Sequence, residues 1–454
     1  MPTPRDRRAR LSTFAVFFVQ GLTFATLLTQ VAQLQQKHHL SDGELSILLL
    51  VVPVIAGVGS VLAGEIAKRY GSRRVLRAAQ PAAGLAVVCA GLAADVPQLV
   101  AANVLFGLCL GAVDAGMNMQ AVTAERRYGR PILTGFHALW SAAAVVGAGW
   151  ASVGGAMRLT LPAIFTVAMV VGVAIALIAG RTLFTAEEEH VATPAGDTGP
   201  AADATPVTVA GADAFPAAVP VRDAVPAVPV TDVVPAAVAG NGRARAAGGV
   251  RVPWGPILPL CLAMAFLYVG DASISNFGSV YMEKIMHATA AVVPLALGAY
   301  QAATFVVRVG GDFAVRRYGP AAIVRIGGAL AALGFAGIVA APDQPLAIVA
   351  FGLAGVGLSV VAPQSFSAAG RLDPAGTGVA IARVNMFNYV GFIVGAALVG
   401  GIAEAADYQI AFAAPLILAT AIIALARGFH PKASHPAPQP TRPGPTGRTG
   451  PTEA

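Results

Sequence analysis

Long stretches without a charged side chain dominate this sequence of 454 residues, and they limit its fold more than any other feature. A hydrocarbon core about 30 Å thick needs about 20 helical residues, and only a helix or a closed barrel satisfies its backbone there. The twelve stretches are 11–36, 45–64, 78–94, 96–113, 131–157, 159–180, 252–270, 285–307, 326–342, 344–370, 384–403 and 408–426. Because 56% of all residues are hydrophobic and only 12% are charged, a soluble fold is excluded. The sequence therefore predicts an all-α integral membrane protein with twelve transmembrane helices.

Basic residues fall almost entirely in every second segment between these stretches. If the N-terminus is cytoplasmic, then of the 30 Lys and Arg residues all except Lys37, Arg158, Lys284 and Arg308 lie in cytoplasmic segments. The positive-inside rule then predicts that both termini are cytoplasmic. The same distribution accounts for the net charge of +7, so no nucleic-acid partner is implied.

The sequence also contains a segment with no helical pattern, between the sixth and seventh stretches. Residues 182–252 are rich in Ala, Val and Pro and contain the near-repeats Asp213-Ala-Phe-Pro, Asp223-Ala-Val-Pro and Asp232-Val-Val-Pro. We predict a cytoplasmic N-terminus at 1–10, a six-helix bundle at 11–181, a disordered linker at 182–252, a second six-helix bundle at 253–427 and a disordered Pro-rich tail at 428–454.

Two sequence patterns recur in both predicted bundles. A basic loop bounded by glycines follows span two at 64–71 and span eight at 311–319. In span five, His137 and Trp140 precede Gly147, and in span eleven Asn385 and Asn388 precede Gly395 with the same spacing. The bundles are therefore expected to be pseudo-repeats, and in secondary transporters the substrate site lies between such repeats.

Twelve spans in two halves, a long central loop and the repeated basic loop together resemble the major facilitator superfamily. The loop signature of that family, G-x-L-A-D-R-x-G-R-R, is matched at Gly64, Ala67, Arg69, Gly71, Arg73 and Arg74. Lys68 stands where the family has Asp, so Glu65 and Asp312 are the candidates to replace that acid in gating. The resemblance implies the major facilitator fold and a monomer.

Two shorter segments are similar to a narrower group within that family. Residues 114–120, from Asp114 to Gln120, and 136–141, from Phe136 to Ser141, resemble a bacterial branch near the fucose-permease-like sugar transporters. This resemblance implies a sugar-like substrate and a bacterial-type plasma (inner) membrane. It also implies a coupling role for Asp114, because an acid in this span is implicated in coupling in those transporters.

The distribution of polar residues predicts which spans face water. Spans three, six, nine and twelve carry almost no polar side chains and are expected to face lipid or serve as structural supports. Spans one, four, seven and ten, with five, eight and eleven, carry the intramembrane polar residues and are expected to surround an aqueous cavity. Span two is almost entirely aliphatic and does not fit this division.

Asp114 is the candidate for proton coupling. The residues Asn103, Gly107, Gly111, Asp114 and Asn118 share one face of span four, and the two glycines permit close helix packing. Desolvation favours the neutral form of a carboxyl group, and a site that exchanges protons near neutral pH requires this. The alternative is a hydrogen-bonded Asp that only joins helices.

The candidate substrate-binding residues are polar or aromatic side chains of the water-facing spans. They are Gln20, Thr23, Gln30, Asn118, His137, Trp140, Tyr268, Asp271, Asn276, Gln364, Asn385 and Asn388. A hydroxyl-rich solute needs several oriented hydrogen-bonding groups and an aromatic face, which Trp140, Tyr268 or Tyr389 can provide. For any one of them the alternative is a helix-bridging role; His137 is either a proton relay or a neutral, hydrogen-bonded side chain.

Four charged residues are candidates for gating. Arg308 and Asp312 lie one turn apart near the cytoplasmic end of span eight, while Glu65 and Arg69 lie in the loop after span two. Such a pair either pins helices together or lets Arg308 extend to the membrane surface.

Other functional classes lack their usual sequence patterns. The sequence has no Walker A, H-E-x-x-H or G-x-S-x-G motif, and Cys89, Cys109 and Cys261 lie singly. We therefore expect no ATP, no metal or other cofactor and no enzymatic activity. The predicted function is secondary active transport of a small polar solute, a sugar or sugar derivative, with protons across the lipid bilayer. Drug or metabolite efflux is the first alternative, disfavoured by an expected aromatic-poor cavity; a non-transporting sensor and a membrane enzyme are the others.

The predicted topology is tested by reporter fusions. We expect a reporter fused after Arg427, or inserted within residues 195–240, to give a cytoplasmic signal, because nearly all basic residues lie on that side. Paired fluorescent-protein and alkaline-phosphatase fusions measure this. A periplasmic signal at either place contradicts the predicted span count.

Overall fold

The structure, a computed structural model, describes residues 2–129, 132–191, 253–372 and 379–430. Within these ranges it leaves the side chains of residues 68, 134, 190, 191, 311–313, 316, 379, 381 and 382 undescribed. The predicted linker from residue 192 onward, the predicted tail from residue 431 onward and the side chains of Lys68 and Asp312 therefore lie outside the described residues.

The described residues fold almost entirely into helices, as predicted. The helices are α1 (Pro4–Leu28), α2 (Val31–His38), α3 (Asp42–Tyr70), α4 (Ser72–Leu92), α5 (Val96–Tyr128), α6 (Leu133–Ala156), α7 (Leu161–Ala179), α8 (Ala186–Val191), α9 (Trp254–Lys284), α10 (Pro294–Tyr318), α11 (Pro320–Ala340), α12 (Gln344–Leu358), α13 (Val361–Arg371), α14 (Val379–Ala405), α15 (Tyr408–Ala411) and α16 (Ala413–Leu425). Eleven segments of the described chain are long and apolar enough to cross a membrane, and α10 occupies the place of the eighth predicted span. The all-α membrane fold with two six-helix halves is confirmed.

The chain alternates between two faces of the bundle. We call the face that holds the start of α1 the terminal face and the opposite one the distal face. Several helices that start at the distal face are capped by their own sequence. Ser41 and Glu44 form a reciprocal capping box at α3, and the Asp95, Asp343 and Asp407 side chains each accept a backbone N–H three residues later. These caps fix where spans two, four, ten and twelve begin.

The predicted internal repeat is visible in the backbone. Gly71 ends α3 and Gly319 ends α10, and each has φ of 80°. This positive φ is strained for residues other than glycine, so the same sharp turn joins spans two and three and spans eight and nine. The two halves are therefore related at the level of individual turns.

Glycine also allows the closest helix contacts within each half. A methyl group on Gly111 of α5 would overlap the carbonyl group of Ala56 in α3, and one on Gly355 of α12 would overlap the carbonyl group of Tyr300 in α10. These contacts join spans two and four in one half and spans eight and ten in the other. The predicted role of Gly111 in close packing is confirmed. Its contact with Ala56 holds α3 beside Asp114.

The largest contacts between the two halves are made by two pairs of helices. Helix α3 packs against α14, and α6 packs against α10. Helices α4, α7, α11 and α16 lie at the outside, where large apolar side chains such as Leu85, Val170, Leu333 and Ile417 are exposed. This arrangement supports the lipid-facing position predicted for spans three, six, nine and twelve.

The structure differs from the prediction at the start of the linker, because residues 182–191 are ordered and end in the short helix α8. Arg5 donates hydrogen bonds to both carboxylate oxygens of Glu188, at 3.0 and 2.8 Å, and to the carbonyl oxygens of Thr182 and Leu183. The amide of Gln120 donates to Glu189 at 2.7 Å. Tertiary contacts with α1 and α5 hold a segment whose own sequence has no helical periodicity.

The ion pair between Arg5 and Glu188 affects the titration of Glu188. Burial by itself would raise the pKa of this carboxyl group, but hydrogen bonds from the Thr185 backbone and from Arg5 outweigh it and lower the pKa below its ordinary value of 4.5. The pair therefore contributes stability above that pH and loses it as the pH falls through the lowered pKa.

We expect Glu188→Gln to lower the thermal unfolding midpoint of the purified protein by about 2 °C at neutral pH, because a partly exposed ion pair contributes about 1 kcal/mol at most. Glu187→Gln is the matched control, since Glu187 is exposed on the same helix. Differential scanning fluorimetry measures both. Equal midpoints for the two variants would show that the pair does not anchor α8.

Candidate functional site

A cavity of about 190 Å³ lies between the two halves. Its walls come from α1, α2, α3, α5 and α6 of the first half and from α9, α10, α12, α13 and α14 of the second. Pockets for drug-sized ligands usually measure about 300–1,000 Å³, so this cavity suits one small solute.

The structure brings many of the predicted residues together around this cavity. Those that line it are Gln20, Asp114, His137, Trp140, Tyr268, Asp271, Asn276 and Asn388, with Arg308 from the predicted gating set. They come from spans one, four, five, seven, eight and eleven. The candidate coupling residue and most candidate substrate-binding residues therefore share one enclosed space.

Other predicted residues lie outside the cavity lining. Thr23 is buried with its hydroxyl donating to the Val19 carbonyl oxygen one turn earlier, at 2.8 Å. The Asn118 amide donates in the same way to the Asp114 carbonyl oxygen at 2.9 Å. Gln30, Gln364 and Asn385 are also absent from the lining, and Glu65 and Arg69 are exposed near the terminal end of α3. The five substrate-binding candidates lie on the predicted spans, but their side chains do not reach the cavity. Glu65 and Arg69, which were predicted to lie in a loop after span two, lie within the last turns of α3, because this helix continues to Tyr70.

Asp114 lies in the cavity wall, where no charged side chain of the described residues pairs with it. Its side chain is 8% exposed, and its carboxylate has no hydrogen-bond or ion-pair partner among the described residues. Only its backbone carbonyl is engaged, by Asn118. The alternative that Asp114 joins helices through hydrogen bonds therefore has no contact to support it in the described chain.

Asp271 has a different environment. The Tyr300 hydroxyl donates to its carboxylate at 2.5 Å, which joins span seven to span eight within the cavity wall. Tyr300 is 3% exposed. Asp271 thus has a hydrogen-bond donor in the cavity wall, whereas no described residue donates to the Asp114 carboxylate.

Arg308 connects the two halves. Its guanidinium group donates to the Ser141 hydroxyl of α6 at 2.5 Å, across the contact between α6 and α10. Arg308 also lines the cavity. It points into the protein, so the alternative that it extends to the membrane surface is wrong. The predicted partner Asp312 has no described side chain.

The cavity is more apolar and more aromatic than the sequence predicted. Its aromatic lining residues are Phe24, Phe106, Trp140, Tyr268, Tyr300, Tyr389 and Phe392, so the expectation of an aromatic-poor cavity is wrong. The aliphatic span two contributes Leu45, Leu48, Leu49 and Val52. This span therefore faces the cavity, and these four aliphatic side chains make one end of the cavity apolar.

Contacts between the halves close the cavity toward the distal face. The Asp42 carboxylate at the start of α3 accepts from Lys284 at 2.5 Å and from Tyr408 at 2.7 Å, both in the second half. The Gly43 backbone N–H donates to Glu404 at 2.6 Å. These polar contacts lie beyond the aliphatic end of the cavity and form a distal latch.

Some lining residues were not among the sequence candidates. Tyr300 and Thr304 precede Arg308 on α10 by two turns and one turn, so the three lie on one helix face, and all of them line the cavity. This spacing could have identified Tyr300 and Thr304 as lining residues from the sequence. For Phe24 and the leucines of span two no such signal exists, because an aliphatic or aromatic side chain can equally well face lipid.

Comparisons with known proteins agree with this geometry. A family model described as Major Facilitator Superfamily matches residues 13–378 and 260–452. An uncharacterised transporter, y4wD, of Sinorhizobium fredii is 25% identical over 88% of this chain and 92% of its own length. An uncharacterised MFS-type transporter of Yersinia pestis is 24% identical over 92% of this chain and 95% of its own length. A crystal structure of a variant of the nucleoside transporter NupG matches with a TM-score of 0.63 at 13% identity, over 93% of this chain and 98% of that one.

The distal latch predicts a change in accessibility. We expect Asp42→Asn to increase labelling of a Leu34→Cys side chain by about three- to fivefold, because an exposed ion pair contributes up to about 1 kcal/mol to the closed state. The test uses a membrane-impermeant maleimide on intact cells, with Cys89, Cys109 and Cys261 replaced by Ser.

Asp95→Asn is the matched control for this test. Asp95 also lies at the distal face, but its side chain caps its own helix. Equal labelling in the two Asn variants would show that Asp42 does not hold the halves together.

Proposed function

The chain belongs to the Major Facilitator Superfamily, and from that premise we propose that it is a proton-coupled secondary transporter of a small polar solute, a sugar or sugar derivative. In this proposal the protein works as a monomer in a bacterial inner membrane with both termini in the cytoplasm. The solute binds in the cavity between the halves, and rocking of the halves exposes that cavity to the two faces in turn.

The observation that supports the proposal most strongly is the placement of Asp114. This carboxyl group faces the cavity, is almost fully buried and has no partner among the described residues. A buried carboxylate without a partner is costly, so the group gains or loses a proton as its surroundings change. Such a group couples proton binding to solute binding when both events favour or oppose the same movement of the two halves.

The rest of the lining supports a hydroxylated solute. Gln20, Asn276 and Asn388 offer amide groups, and Trp140, Tyr268 and Tyr389 offer aromatic surfaces on which the face of a sugar ring can pack. Asp271, positioned by Tyr300, is a hydrogen-bond acceptor for a hydroxyl group. The narrower resemblance to fucose-permease-like transporters agrees with this class of solute.

Efflux of a metabolite or drug is the second candidate function. The aliphatic side chains of span two and the seven aromatic lining residues favour it, because they provide apolar contact that a simple sugar does not use. The direction of transport is decided by the solute gradient and the coupling, and no single residue sets it.

The coupling role is tested with Asp114→Asn, which mimics the protonated acid. We expect this variant to exchange solute across proteoliposome membranes while losing solute-driven proton movement, because the group that carries the proton is absent. An entrapped pH-sensitive dye reports proton movement after addition of solutes from a panel of hexoses and hexose glycosides. Size-exclusion chromatography confirms that the variant is folded.

Asp271→Asn is the control for this experiment. It removes a carboxylate from the same cavity but leaves Asp114 intact, so we expect weaker solute binding with coupling retained. If addition of solute still drives proton movement through the Asp114→Asn variant, with the wild-type pH dependence, Asp114 does not carry the coupled proton.

A further inference from the structure

The cavity has two chemically different ends, and a hydroxylated solute alone uses only one of them. We propose that the solute is amphipathic: a hydroxylated ring that carries an apolar substituent. This inference rests on the proposed function and specifies its substrate. The ring binds to a polar wall formed by the second half, and the substituent occupies an aliphatic compartment at the distal end of the cavity.

The polar wall consists of Ser275 and Asn276 on α9 and Thr304 on α10. All three are at most 4% exposed and line the cavity. The Ser275 and Thr304 hydroxyls and the Asn276 amide nitrogen have no hydrogen-bond partner among the described residues. Buried donors without partners are unfavourable, so a solute that supplies oxygen atoms at these places gains binding energy.

The contact between Tyr300 and Asp271 fixes the geometry of this wall. Ser275 lies one helical turn from Asp271 toward the distal face on α9. Because α10 runs in the opposite direction, Thr304 lies one turn from Tyr300 toward the terminal face. The hydrogen bond between Tyr300 and Asp271 therefore sets the spacing between the two helices beside the three side chains. A wall of this kind is positioned before the solute arrives, which reduces the entropic cost of binding.

The aliphatic compartment lies at the other end. It is formed by Leu27, Leu28 and Val31 of α1 and α2 and by Leu45, Leu48 and Leu49 of α3. The residues of α1 and α2 come shortly before the chain reaches the distal face, and those of α3 come shortly after it leaves that face. Both sets therefore lie at the same depth in the bundle. Hydroxyl groups placed against these side chains would lose their hydration without gaining partners, whereas an alkyl or aryl group would not.

Leu48 allows a steric test of this compartment. It lines the cavity and is 7% exposed, so changes in its volume change the space available to a substituent. Leu48→Ala enlarges the compartment and Leu48→Phe fills it. The two substitutions predict opposite shifts in the preferred length of the substituent, which a general loss of folding cannot produce.

The experiment measures the affinity of the full-length protein in lipid nanodiscs for free hexoses and for their methyl, butyl and phenyl glycosides. We expect at least one butyl or phenyl glycoside to bind about tenfold more tightly than the free hexose. Leu48→Phe should weaken binding of that glycoside more than binding of the hexose and so remove this difference, because phenylalanine fills the space that the substituent occupies. Leu48→Ala should move the preference to the longer substituent, and Ser275→Ala should weaken binding of both kinds of ligand equally.

Three results would overturn the inference. Equal affinity for the free hexose and its glycosides contradicts it and leaves the proposed function standing. Equal loss of both kinds of ligand in Leu48→Phe shows that Leu48 seals the cavity and does not contact a substituent. Absence of binding throughout the panel, together with absence of solute-driven proton movement in proteoliposomes, contradicts the proposed function and this inference with it.

Discussion

The low polarity of the membrane interior is the constraint on which the rest of this structure depends. It excludes charged side chains from the lipid-facing surfaces, so the intramembrane acids and the arginine of span eight are found where the two halves face each other. It also removes the hydrophobic driving force between helices, so close packing depends on small residues such as Gly111 and Gly355. The polar cavity and the close glycine contacts thus both follow from the apolar interior of the membrane.

Within that constraint, the two halves meet through symmetric helix contacts. The contacts of α3 with α14 and of α6 with α10 are equivalent under the internal repeat. At the distal face they are reinforced by Asp42, Lys284 and Tyr408, whose exposed or partly exposed ion pair contributes only about 1 kcal/mol or less. Contacts of this strength at the distal face are readily broken when a solute or a proton binds. A polar closure at one face, which a bound solute or proton can break, is suited to alternating access.

The sequence predicted the features that depend on composition and spacing. Charge-free stretches predicted the spans, the repeated loops predicted the equivalent turns at Gly71 and Gly319, and the small-residue face of span four correctly placed Asp114. Features that depend on helix rotation and on contacts between distant segments could not be predicted from composition and spacing. The leucines of span two are chemically identical whether they face lipid or cavity. The pair of Tyr300 with Asp271 and the pair of Arg5 with Glu188 join residues that no local pattern connects.

The central claim is that two rigid halves rock around one cavity. Distances between spin labels test it most directly, with one pair on the distal face at Gln36 and Ala406 and a second on the terminal face at Arg126 and Arg371, all at exposed positions. Double electron–electron resonance in nanodiscs, recorded in alkaline and in acidic buffer, reports both distances. We predict that acidification changes them in opposite directions, so that one face opens as the other closes. Distances that stay fixed on both faces, or that change in the same direction, would contradict the account.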